Sequence, residues 1–491
     1  MLKPLASGRW NFTTAAHLVN RAGFGASPAD IEKLVAPGVD AAVSHFVDYE
    51  KIPDDTTDPA WAKPDPERAE RFMTARRAGE EERRRLLREE QQRQRQRMVE
   101  LRGWWFERMA SGPRPLQEKM VLFWHGHFAT SVEKVREAYL MWRQNDLFRR
   151  QATGNWRQIL IEVAKDPAML LWLDQAQSRR EHPNENFARE VMELFALGEG
   201  HYTEKDITEA ARALTGWSYD RPGQRFVERP FQHDKGSKTI FGKTGNFNGE
   251  DFIGMIVEQP QAARFITAKI WKFFAGQEPA DDLVTALAAT FRKAGNNFKP
   301  VLSAIFRSEE FYATDIIRNQ VKSPVQWLVG SARMLERDLP PPLVCFGLTR
   351  NLGQDLFAPP NVKGWEGGLS WITTNNLLAR YNEAATLVQG DVSTLAGTIV
   401  ANNPDVNRMV DRRMRNVRVG SVDVKKLFTE KERSDLETLI PALEKRLLQA
   451  RLKPKQEKVL RDFLDSRKDL SEEDILTAVR LVMSTPEYQL T

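Results

Sequence analysis

Apolar residues recur at three- and four-residue spacing along most of this chain. That period predicts amphipathic helices rather than strands. Residues 15–21 read as a short helix running into the turn Gly23-Phe24-Gly25. Ser27 then caps a second helix, with Pro28 in its first turn and Ile31, Leu34 and Val35 on one face. Further helices are expected at 115–123, 136–151, 155–165, 184–197, 203–216, 249–257, 259–275, 280–294 and 297–307, and a helical section at 394–491. Thr203 with Asp206 reads as a variant capping box, and Gly198 and Gly216 as helix stops. Between 221 and 249 the pattern breaks into turn residues, and 225–232 with 238–241 is expected to form a small hairpin. Residues 350–371 hold several Gly, Pro and Asn with Trp365 and Trp371, a long loop of the kind that often carries function. The fold class expected is mainly α, a large multi-helix globular bundle with a small β-hairpin insert. Three regions are expected: 1–111, 112–392 and 393–491.

Composition refines this picture. Thirteen Trp and 26 Phe in 491 residues supply a sizeable core. The single cysteine, Cys345, excludes an internal disulfide and a cysteine-based zinc site, and its apolar neighbours mark it as a core residue. No run of about 18 apolar residues suggests a membrane span. No basic-then-apolar leader opens the sequence, so cytoplasmic residence is the default expectation. A chain trimmed of its signal would read the same, which leaves the periplasm or export open.

The net charge of +5 is small beside 139 charged side chains. Residues 66–102 hold 12 Arg against 8 acidic residues. This reads as a solvated helix of alternating charge, and nucleic acid is not an expected partner because the glutamates dilute the basic run.

Candidate chemistry rests on few residues, since only seven His occur. His125 and His127 flank Gly126. A helix end there would let both imidazoles converge on a divalent transition metal. Glu190 and Glu193 stand three apart on a helix face, with Asn186 four before Glu190, beside a stripe of Phe187, Val191, Leu194 and Phe195. Bundle metal sites place carboxylates in such rows, and so does any half-exposed helix. Glu209 is a third carboxylate or the partner of Arg212. His233 with Asp234 is a ligand or general base whose ring a carboxylate could orient. The turn Lys235-Gly236-Ser237-Lys238 suits an anion but lacks the phosphate-loop pattern. No Gly-x-Ser-x-Gly elbow or His-Glu-x-x-His motif is present.

Several segments together resemble the bacterial "domain of unknown function 1800" family. They are 15–18 with 21–25, 123–130, 184–198, 202–217, 233–248 and Ser484-Thr485-Pro486-Glu487-Tyr488. The resemblance covers nearly the whole chain. It implies no established activity and carries over no catalytic residue. It does imply a sulfatase-like partner protein, since members often sit beside genes of that kind, and it implies export, which the opening of this sequence does not display.

Two functions are therefore expected. One is a metal-dependent enzyme, hydrolase or oxidoreductase, with His125, His127, Glu190 and His233 as metal ligands and Glu190, His233 and Asp234 as catalytic groups. The other is a non-catalytic binding or assembly protein that recognises a glycan or a partner protein, with exposed Trp365 and Trp371 as one expected surface.

Overall fold

A computed structural model describes residues 2–391, 419–467 and 469–491. The described chain is mainly α-helical, and the helix starts follow the capping chemistry of the sequence. Asn11 caps Phe12–Ala22, Thr203 caps Glu204–Ala213 and Asn248 caps Gly249–Glu258, each in a reciprocal capping box. Gly276 ends Pro260–Ala275 in the left-handed conformation that a side chain disfavours.

The charged stretch forms two helices, Arg68–Arg77 and the 32-residue Glu80–Ser111. The exposed first half of the longer helix pairs its own charges, as Arg85 does with Glu82 at 2.6 Å. Its last turns bury Met98, Leu101, Trp105, Phe106 and Met109. There Glu118, on the next helix, accepts from Arg108, Arg149 and the Trp105 indole at 2.6–2.9 Å. Burial of this charge is offset by two guanidinium groups, which hold its carboxyl below the usual range.

One hydrophobic cluster runs from Leu5 through Trp105, Trp124 and Phe298 to Leu443 and Met483. It therefore joins the three regions expected from the sequence. Cys345 is buried in it. The boundary expected at 393 lies outside the described residues.

The β content differs from the single hairpin expected. Strand β1 (Trp217–Asp220) pairs antiparallel with β2 (Arg225–Glu228). Strand β3 (Lys238–Ile240) pairs antiparallel with β4 (Lys243–Gly245). Two hairpins close over short turns, and residues 229–237 between them are left free to cross the ends of other elements.

Candidate functional site

His125 and His127 do not converge. The Pro115–His127 helix runs through Gly126 without ending, and residues two apart on a helix point about 200° from each other. His125 Nε2 accepts the Phe357 N–H at 3.0 Å. Its ring is buried among Trp105, Phe357 and Trp365. Burial and the Arg102 charge push its pKa down to about 3, so the ring is neutral. His127 donates from Nε2 to the Phe195 carbonyl at 2.9 Å, and burial with the Lys269 charge keeps it neutral as well.

Those contacts have a structural cause. After Glu185–Glu190 the helix widens into a π-helix over Val191–Leu197. A π-turn shifts the hydrogen-bond ladder and frees carbonyl groups, and such turns are frequent at functional sites. Here Lys269 donates to the Leu194 carbonyl at 3.2 Å and His127 to that of Phe195. His127 and Lys269 are both spent on satisfying the widened turn.

Glu190 lies at the start of that turn, half-buried, and its carboxylate makes no hydrogen bond with a described residue. Burial and the neighbouring Glu193 raise its pKa, against the opposing charges of Lys363 and Arg189. Glu193 accepts from the Tyr202 hydroxyl at 2.6 Å. Arg189 pairs with Glu204 at 2.8 Å.

The structure thus places His125, His127, Glu190 and His233 in separate local settings. Among the described residues no three His, Cys, Asp or Glu side chains are gathered to hold a metal ion. The Trp surface is not formed either. Trp371 is buried and Trp365 is half-buried against His125.

A different arrangement forms around His233. The Glu204–Ala213 helix stitches down the following loop with one charged row. Asp206 accepts from the Phe241 N–H at 2.7 Å and Glu209 from that of Thr239 at 2.8 Å. Arg212 holds Glu209 at 2.9 Å and grips Asp234 with Nε and Nη2 at 2.7 and 3.2 Å. That pairing keeps the Asp234 carboxyl below its usual range. Asp234 therefore pairs with Arg212 rather than orienting the His233 ring.

The ring is oriented instead by Thr215. Nδ1 of His233 lies 2.9 Å from the Thr215 carbonyl, which can only accept, so Nδ1 carries a proton. Nε2 has no hydrogen-bond partner among the described residues. Gly216 makes this possible. Its φ is +84°, and a Cβ there would lie 2.8 Å from the Arg229 carbonyl and 3.3 Å from His233 Cβ. The anion turn expected at 235–238 is altered too, because Lys238 is buried and caps the carbonyls of Asp234 and Gly236.

Segment 229–233 runs beside 179–182, joined where the Arg180 N–H donates to the Gln232 carbonyl at 2.9 Å. Residues of the two segments line two clefts. The first, about 700 Å³, is lined by Arg180, Glu181, Pro230, Phe231, His233, Asp234 and Lys235. The second, about 690 Å³, takes Arg179, His182, Asn186, Arg229 and Gln232 among its walls. Sequence reasoning found His233 but missed Phe231, Arg179 and Arg229. The one signal for them is a bulky aromatic residue set among turn-forming and polar neighbours, Arg229-Pro230-Phe231-Gln232.

The family model described as "Protein of unknown function (DUF1800)" matches residues 17–490. No curated protein matches the chain. No solved structure matches it. Among the described residues no helix is long and apolar enough to cross a membrane.

Proposed function

We propose that this chain, which belongs to the DUF1800 family of proteins of unknown function, is a non-catalytic binding or assembly protein that recognises a glycan at the His233 cleft. The observation that carries this reading is Phe231, 72% exposed on a cleft whose other side chains are nearly all polar. A lone exposed apolar side chain is ordinary on a protein surface. This one stands where a sugar would need it. The C–H face of a pyranose is apolar and packs on an aromatic ring, while its hydroxyl groups need donors and acceptors at the rim. Arg180 and Lys235 supply donors, Glu181 supplies acceptors, and the unpartnered Nε2 of His233 adds a further polar group. Because Arg212, Glu209 and Thr215 already tie the loop down, little ordering is left for the ligand to impose.

The metal-dependent reading, hydrolase or oxidoreductase, has less support. His125 and His127 are engaged by backbone groups, and only Glu190 of the carboxylates named for it lacks a hydrogen-bond partner. The sulfatase-like partner implied by the family resemblance belongs to the assembly half of the proposal, and co-purification from the native host tests it.

The site itself is tested by screening the purified chain on a glycan array alongside Phe231→Ala and His233→Ala. The reading expects a discrete set of retained glycans that both variants lose, with unfolding midpoints unchanged. Retention of no glycan, or an identical set for Phe231→Ala, defeats it.

A further inference from the structure

The second cleft is lined by two arginines, Arg179 and Arg229, that form no ion pair among the described residues. Arg229 is half-buried in its wall and makes no ion pair or side-chain hydrogen bond with a described residue. Arg179 is exposed at the rim and likewise makes no ion pair. Of the acids nearby, Asp174 lines the cleft itself, and each has a partner of its own. Asp174 is held by Lys134 at 2.8 Å and Glu181 by Arg180 at 2.5 Å. Glu185 accepts from Thr208 at 3.0 Å.

A half-buried guanidinium without a counter-charge has lost part of its hydration and gained nothing in return. Other shielded arginines of this chain have partners: Arg102, Arg108, Arg149 and Arg446 meet carboxylates at 2.5–2.9 Å, and Arg21 and Arg333 donate to backbone carbonyls. The Arg229 side chain has neither kind of partner among the described residues. The same cleft is lined by hydrogen-bonding side chains without partners among the described residues, the amides of Asn186 and Gln232 and the ring of His182. Two guanidinium groups and two side-chain amides on one cleft are the chemistry that an oxyanion needs, because each guanidinium fork can give two parallel N–H bonds to two oxygens. The cleft is also separate from the His233 cleft. Arg179 and Arg180 line different clefts, as do Gln232 and His233, so one can be altered without the other.

We infer that the Arg179–Arg229 cleft binds an oxyanion, a sulfate, phosphate or carboxylate group, independently of whether the neighbouring cleft takes a glycan. Equilibrium dialysis of the full chain tests this, with radiolabelled sulfate, phosphate and galacturonate in separate arms against chloride at matched ionic strength. Saturable uptake of one of the three is expected. Uptake of sulfate or phosphate identifies a tetrahedral anion, and uptake of galacturonate alone identifies a carboxylate. Arg229→Ala and Arg179→Ala are each expected to weaken it at least tenfold. Arg84→Ala, which removes a remote surface charge, leaves it unchanged. Arg179 is exposed, so its variant folds and keeps the test decisive should Arg229→Ala be unstable. The inference is overturned by absence of saturable uptake in the wild type, or by uptake undiminished in Arg179→Ala or in a folded Arg229→Ala.

Discussion

Arg212 reaches across from its helix to hold Asp234 with two nitrogens, and this grip fixes the residue that follows His233. The pair is only partly shielded, so its contribution to stability is about 1 kcal/mol. The pairing lowers the folded pKa of Asp234. Its stabilisation is therefore fully present above the ordinary carboxylate value of 3.8 and is lost as pH falls through the lower folded value. Asp234→Asn should lower the urea midpoint at pH 7, and the gap to wild type should narrow as the titration moves below about pH 4. A gap constant down to pH 2 would contradict the assignment.

Gly216 is required on two grounds, its positive φ and the approach of Arg229 and His233. Gly216→Ala adds strain of about 1–3 kcal/mol and displaces segment 229–233. The expected result is lower stability together with loss of the glycans that Phe231→Ala also loses. A variant with wild-type stability and binding would show that the segment does not depend on this contact.

Much of the architecture was legible because helix caps are local. Ser27, Thr203 and Gly198 act where the sequence placed them, since a cap needs only a side chain and the next turn. The hairpin was misassigned because β pairing is not local. Residues 225–228 chose the preceding strand, β1, over the following one. The metal cluster was not legible for a related reason. The same His and Glu letters serve a metal or a backbone carbonyl, and only the π-turn at 191–197, with no marker in the sequence, reveals that His127 serves the latter. His233 stood out as a rare residue in an irregular stretch. Phe231 and Arg229 did not, because their meaning lies in exposure and in the absence of a partner, and a sequence records neither.

Glu118 anchors the junction between the long helix and its successor. Removing it as Glu118→Ala leaves Arg149 buried without a carboxylate, while Arg108 keeps Asp54, with an expected cost of about 3 kcal/mol. Chemical denaturation measures this directly. Glu118→Gln should recover part of the loss through the Trp105 hydrogen bond, and a cost below about 1 kcal/mol for the alanine variant would place the network at the surface in energetic terms.

The local engagement of His125 and His127 predicts indifference to metals. Zinc, manganese or iron(II) added to chelator-treated protein should leave the thermal midpoint unchanged, because a ligand raises stability only if it binds the folded chain better than the unfolded one. His127→Ala should destabilise with or without metal, since it strips the Phe195 carbonyl of its donor. A metal-dependent rise in the midpoint that His127→Ala abolishes would restore the metal centre.

Hydrogen–deuterium exchange on the full chain, with and without a glycan retained on the array, tests the location of the site most directly. Slowed exchange confined to 229–238 and 179–182 is the predicted result. Protection centred on 123–130 and 190–198, with none at 229–238, would contradict it.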